Sequence, residues 1–175
     1  ALRQSSFQVI WTSAFYFPLA IIGFEPLDFA LMAALTTLYQ FWIHTETINR
    51  MPNWFEAIFN TPSHHRVHHG SNPLYLDRNH AGILIIWDKF FGTFQPELNT
   101  EKVVYGLVKN INTYNPIKIA FVEWFYMFKD MFTGNTSLYN RFLYLIKPPG
   151  WKHDGTGKVS SDLREEWLKQ HKYDI

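Results

Sequence analysis

Residues 5–24 (SSFQVIWTSAFYFPLAIIGF) carry no charged side chain. As a helix, a run of about twenty such residues is long enough to cross the hydrocarbon of a bilayer. Pro18 lies inside it and is expected to kink it. After the polar corner Glu25-Pro26-Leu27-Asp28, a second uncharged stretch runs from Phe29 to Ile43 and ends at His44. The two runs read as a helical hairpin with membrane helices over 5–24 and 29–48. Arg3 precedes the first run and Arg50 follows the second, while the corner between them carries only Glu25 and Asp28, a positive-inside pattern that places both ends in the cytosol. The competing reading is two buried helices of a soluble bundle, since the second run is short and contains Thr36, Thr37, Tyr39 and Gln40. Run length and flanking charge favour the membrane.

The second informative feature is chemical. Thr61 to Gly70 reads Thr-Pro-Ser-His-His-Arg-Val-His-His-Gly and places four of the eight histidines in six consecutive positions. Thr61 suits the cap, Pro62 the first helical position and Gly70 the residue past the end, so a helix is expected over 62–69. On it His65, His68 and His69 stand at i, i+3 and i+4 on one face, with His64 at its margin. Neutral imidazoles bind iron, zinc, copper or nickel without the mutual repulsion of as many carboxylates. This is the pattern of a metal site, although the spacing does not name the metal, and a surface histidine patch is the bland alternative.

Composition narrows the rest. With 175 residues and 47% hydrophobic content the chain can bury a core, and a net charge of +1 without a basic run or phosphate loop predicts no nucleic-acid partner. The absence of cysteine leaves His, Asp, Glu, Asn or water to hold a metal. The aromatic share of 18% suits a lipid–water interface or an aromatic core. The chain starts at Ala1 with neither an initiator Met nor a signal-peptide pattern, so an upstream segment is expected.

Further along, 53–60 reads as a short amphipathic connector and 70–79 as a polar loop. Residues 82–94 read as a helix ended by Gly92 and Thr93. Asn115-Pro116 opens another helix, with Ile117, Phe121, Trp124, Phe125, Phe128, Met131 and Phe132 on one stripe that faces either the membrane interface or a core. A shorter helix over 138–146 stops at Pro148-Pro149-Gly150. A last helix is expected over 162–172, with Asp162 and Glu165 as a capping pair. The expected fold is all-α: an integral membrane helical hairpin plus a cytosolic helical cap carrying the histidine-rich metal site. The main domain occupies 1–150, and 151–175 form a polar tail.

His44, at the foot of an apolar helix, is the best further ligand. Glu46 is either a carboxylate behind the ligands or a solvated residue. His80 is a ligand, a donor behind the ligands, or a plain loop histidine. Asn79, Asp77 and Asp88 are placed to orient imidazoles through their free nitrogens. His153 and His171 read as solvated.

These residues resemble the fatty acid hydroxylase and sterol desaturase superfamily of membrane di-iron enzymes. Its last histidine box, His-x-x-His-His, is matched by His65-Arg66-Val67-His68-His69. The wording is nearest to the alkylglycerol-cleaving branch and its bacterial relatives. It is shared in ALRQS at Ala1, LYQFWIHTE from Leu38, NTPSHHRVHHG from Asn60, AGILIIWDKFFGTF from Ala81 and EKVVYGL from Glu101. The resemblance implies a four-helix membrane core with a cytosolic cap, two iron ions, dioxygen, and His44, His65, His68 and His69 as ligands, with further histidine boxes upstream of Ala1. On that basis the segment is expected to be inactive alone. The resemblance also implies a membrane-lipid substrate, an electron donor that is tetrahydrobiopterin or a cytochrome, and a site in the endoplasmic reticulum or a bacterial inner membrane. The sequence departs at His80, where the family usually carries tyrosine.

Three functions remain open on these grounds. The first is a di-iron monooxygenase that hydroxylates a lipid C–H bond, at the ether-linked carbon if the alkylglycerol likeness holds. The second is a sterol or fatty acyl desaturase or hydroxylase of the same superfamily. The third is a non-catalytic membrane metal-binding module.

Overall fold

In a computed structural model, which describes residues 8–133 and 136–171, every regular element is helical and the described residues form no strand. The chain divides into two compact units, Ala1–Val108 and Lys109–Ile175.

In the first unit, α1 (Gln8–Ile22) contains Pro18 and ends at Gly23, whose φ of 104° is open to glycine without strain. Positions 5–7 of the expected first helix lie outside the described residues. The corner works as a helix start: Pro26 takes the first turn of α2 (Pro26–Ile43), and the Glu25 amide donates to Asp28 Oδ2 at 3.3 Å. No described helix is long and apolar enough to cross a membrane.

The expectation that α2 runs to residue 48 is corrected. It stops at Ile43: His44, at φ −81° and ψ 66°, leaves the helical geometry, and carbonyls of the residues that follow face another group. Arg66, on α4, donates from Nη1 to Thr45 O (3.2 Å) and Ile48 O (2.8 Å) and from Nη2 to Asn49 O (2.6 Å). The same guanidinium makes a forked contact with the Glu97 carboxylate, with Nε–Oε1 at 3.1 Å and Nη2–Oε2 at 2.6 Å. Arg66 is buried, and this set of acceptors satisfies it.

Two short helices follow, α3 (Asn53–Ile58) and α4 (Pro62–His68). Thr61 is the N-cap residue of α4, but its hydroxyl does not cap; it donates to Glu56 Oε1 at 3.1 Å. Gly70 is needed for space rather than for a left-handed turn, since a Cβ there would lie 3.0 Å from Tyr75 Cδ2 and 3.1 Å from Val67 O. The helix expected over 82–94 shortens to α5 (Ile86–Phe91). Two of its first four positions are drawn into other pairing: Asn60 N donates to Ile83 O at 2.7 Å and Leu84 bridges Phe59. Gly92, at φ 70°, ends α5 as expected.

In the second unit, Asn115 accepts from the Ile117 and Lys118 amides and starts α6 (Pro116–Phe132). Most of the expected aromatic stripe is exposed there, while Val122 and Met131 are buried. Helix α7 (Leu138–Ile146) follows as expected. Helix α8 (Ser160–His171) begins with Asp162 Oδ2 accepting from Val159 N at 3.0 Å, whereas Glu165 pairs with Lys169 and not with the cap. His153 and His171 each have a partner, the Tyr144 hydroxyl and Trp167 O, both at 2.9 Å.

Replacing Arg66 by Met removes the partner of the Thr45, Ile48 and Asn49 carbonyls and leaves the Glu97 carboxylate without its guanidinium. The expected loss is about 3–5 kcal/mol in urea unfolding, with Arg66→Lys intermediate because an ammonium cannot fork. A variant as stable as the parent would contradict this role.

Candidate metal centre

The end of α2 and one face of α4 build the site. His44 is the C-cap residue of α2, and its Nδ1 lies 2.6 Å from Gln40 O, one turn back. Only a protonated Nδ1 can donate to that carbonyl, so the Nε2 of a neutral His44 carries the free lone pair. His65 and His69 stand four residues apart on α4 and at its C-cap, and both rings turn toward His44. The three Nε2 atoms form a near-equilateral triangle: His65–His44 at 2.8 Å, His69–His65 at 3.0 Å and His69–His44 at 3.2 Å.

Burial, reinforced by the neighbouring imidazoles, pushes the His65 pKa down to about 3. Burial, His68 and His44 lower that of His69 to about 4. These rings are therefore neutral at pH 7 and present lone pairs to a common centre. Hydrogen bonds alone cannot satisfy such a triangle fully, because each neutral ring has one N–H, and that of His44 is already committed to Gln40.

The donor set fits a divalent ion. With bonds of about 2.1 Å to imidazole nitrogen, separations near 3 Å correspond to ligand–metal–ligand angles of about 90°. That is the angle of one face of a six-coordinate ion and is smaller than the tetrahedral angle of structural zinc. Three nitrogen donors with no thiolate are compatible with iron.

The other expected residues are placed as follows. His68 is exposed, with its Nδ1 3.3 Å from Arg78 O and its ring 6.1 Å from that of His80, so it stands beside the triangle rather than in it. His64 is buried on the other side of α4, its Nε2 3.8 Å from Glu56 Oε2 and its ring edge-on to Phe94. Burial lowers the His64 pKa, with Glu56 opposing. The exposed His80 uses its backbone amide on Asp88 Oδ1 at 2.8 Å.

Asp88 does not orient an imidazole. Its carboxylate holds the loop through the amides of His80 and Ala81 and the Thr93 hydroxyl. Asn79 is also structural: its side chain donates to His64 O and Gln95 O and accepts from Gln95 N, which fixes α4 to the 93–96 segment. Asp77 is exposed, at φ 51°.

Glu46 lines a cavity of about 370 Å³ together with the three clustered histidines, Arg66 and Tyr105. Burial and the Glu46 carboxylate beside it raise the Tyr105 phenol to about 12, so it remains a proton donor. Sequence reasoning missed Arg66, Glu97 and Tyr105. Arg66 sits between the histidines in the motif itself, but its 31-residue separation from Glu97 left no local signal.

Residues 1–93 match the fatty acid hydroxylase family. The chain is also similar to alkylglycerol monooxygenase of Homo sapiens, 49% identical over 95% of this chain and 36% of that protein. The Xenopus tropicalis protein of the same name is 46% identical over 95% of this chain and 35% of its own length. That of Caenorhabditis elegans is 36% identical over 86% and 31%. The chain thus spans about a third of the length of these curated relatives. No solved structure matches it.

The depressed imidazoles have a stability signature. The metal-free folded state keeps His65 and His69 neutral at pH values where the unfolded chain, near 6.5, protonates them. Stability is therefore expected to be full above about pH 6.5 and to fall as the pH drops toward 4, read from unfolding midpoints. His65→Gln, which cannot protonate, should flatten that slope; a flat profile in the parent would count against the burial argument.

Proposed function

The chain belongs to the fatty acid hydroxylase family, and on that premise we propose that it supplies part of the di-iron centre of a membrane monooxygenase that hydroxylates a C–H bond of a lipid. The observation that carries the proposal is the convergence of His44, His65 and His69 on one point, built from two separate helices. These three would hold one ion, and His68, on the flank of the triangle, would serve the second together with histidines from the rest of the protein.

Iron bound there would supply the reduction of dioxygen and the oxidation of an unactivated C–H bond, fed by a reduced pterin or a cytochrome-type donor. The chain's own residues prepare that chemistry. The Gln40 carbonyl fixes the His44 ring and leaves its Nε2 unprotonated. Burial keeps His65 and His69 neutral, so protons do not compete with the ion. Tyr105 presents a protonated hydroxyl to the same cavity.

The relatives' names favour an ether lipid, in which case the carbon attacked is the one bonded to the ether oxygen. A fatty acyl or sterol substrate is the second reading, favoured by the name of the family itself. The charge-free α1 and α2, the latter with Asp28 in its first turn as its one charged residue, expose Phe15, Phe17, Ile21, Leu38 and Phe41 and are read as a hairpin embedded in the bilayer with the metal site at its cytosolic end.

In the full-length protein purified without oxygen, His65→Ala and His69→Ala are expected to lose most of the bound iron and all turnover of an alkylglycerol, while His153→Ala keeps both. Normal iron and turnover in the first two would remove the assignment. Zinc in place of iron with no oxygen consumption would favour a non-catalytic module. Turnover of a fatty acyl or sterol substrate alone would transfer the proposal to that class.

A further inference from the structure

Helix α5 is folded with its polar side in. Its six residues are Ile-Trp-Asp-Lys-Phe-Phe, and the one that is buried is Asp88, 3% exposed, held by two backbone amides and the Thr93 hydroxyl. Trp87, Phe90 and Phe91 point outward and are 55%, 77% and 70% exposed. The ammonium of Lys89 is turned back on the carbonyls of Glu56 (3.2 Å) and Ala57 (2.8 Å), so neither charge of the helix lies among the outward rings. In water this arrangement is the reverse of an amphipathic helix.

The lysine contacts and the Phe59–Leu84 bridge also fasten α5 to α3, which carries the exposed Trp54. The loop leading into α5 lies against α2. A Cβ on Gly82 would come within 3.3 Å of the side chains of both Thr36 and Gln40. Those residues stand three and seven positions before the end of α2, about 5 to 10 Å from it along the axis. An aromatic ladder continues the connection from α2 to α3, with Trp42 6.4 Å from Phe55 and Phe55 stacked on Phe59 at 4.7 Å. The approach to α5, and α3 with it, are therefore attached to the last two turns of α2, and both α5 and α3 carry exposed rings.

We propose that α5, with Trp54 of α3 beside it, lies in the headgroup layer of a glycerophospholipid bilayer and inserts Trp87, Phe90 and Phe91 among the lipids. This rests on the reading of α1 and α2 as a membrane hairpin, whose foot sets the depth. Indole and phenyl rings favour that layer, and a buried carboxylate with outward aromatics is the polarity it selects. The consequence is positional. His44 follows directly on Ile43, so the same contact holds the imidazole triangle at the bilayer edge, where a lipid's polar end meets its chain.

The test uses nitroxide labels on single cysteines in the full-length protein, any cysteine outside these 175 residues being replaced by serine, reconstituted in phosphatidylcholine nanodiscs: Trp87→Cys, Phe90→Cys and Phe91→Cys. Phe41→Cys on α2 reports the hairpin and Asn99→Cys, on an exposed turn, reports water. At 87, 90 and 91, relaxation by oxygen is expected to exceed relaxation by a neutral nickel chelate, with the order reversed at 99. Nickel access at 90 and 91 overturns the proposal, because the rings are then open to water. Access by neither reagent also overturns it, because the rings are then covered by protein. Oxygen access at 41 combined with either of these results leaves the hairpin standing and removes only the α5 contact. Nickel access at 41 with oxygen access at 90 and 91 removes the hairpin and leaves α5 as the membrane contact.

Discussion

The guanidinium of Arg66 ties together three parts of the first unit that are distant in sequence. It leaves the middle of the histidine helix, takes the carbonyls of Thr45, Ile48 and Asn49, and forks onto Glu97. Those carbonyls belong to the residues immediately after His44. The contact that holds the chain leaving α2 therefore also sets where His44 sits relative to α4. Lysine could supply the charge but not the planar set of donors that reaches a carboxylate and several carbonyls at once. The triangle of nitrogens depends on this anchor because His44 comes from one helix and His65 and His69 from another.

The charge arithmetic of the site follows from the same pair. A buried cation beside a cluster meant to hold a divalent ion would weaken its binding, and the Glu97 carboxylate, 2.6 Å away, offsets that charge where it arises. Burial keeps His65 and His69 neutral, and where a ring meets an orienting group it is a backbone carbonyl rather than a carboxylate: Gln40 O holds His44 and Arg78 O lies beside His68. Two other acidic residues near the histidines in sequence serve other ends. Asp88 ties a loop, and Glu56 gathers the Met51 amide and the hydroxyls of Thr61 and Ser63. Burial raises the Glu56 carboxyl, but these donors and His64 outweigh it and hold the group below its usual range.

Signals confined to a few residues could be read from the sequence. Pro62 starts α4, Asn115 caps α6, Gly92 ends α5, and four histidines in six positions mark the metal chemistry. Signals that depend on a distant partner could not. Helical spacing placed His65, His68 and His69 on one face, yet the helix closes at His68, and His44 selects the row of His65 and His69. The periodicity over 82–94 was real, but Asn60 and Phe59 pair with Ile83 and Leu84 and leave only the last part helical. An acidic residue near histidines suggests an imidazole partner for Asp88; its amide partners, seven and eight residues back, carry no pattern of their own.

The wider misfit is one of polarity. Pattern reading assumes apolar side chains inside, and in the first unit much of the interior is polar: Asn60, Thr61, Ser63, His65, Arg66, Asn79 and Asp88 are all buried. Asn60 shows how such an interior holds. Its carbonyl accepts from the Tyr39 hydroxyl of α2, its amide donates to Ile83 O, and its side chain donates to Ala81 O, so one fully buried residue joins α2, the start of α4 and the approach to α5. Where much of the outer surface is apolar, burying more apolar surface separates the native state less from its alternatives, and fixed hydrogen bonds must specify the fold. An interior of this kind also suits the site. Donors already held in place need not reorganise when a cation enters, and the Gln40 carbonyl on His44 together with the Arg66 anchor keeps the imidazoles of the two helices aimed at one point.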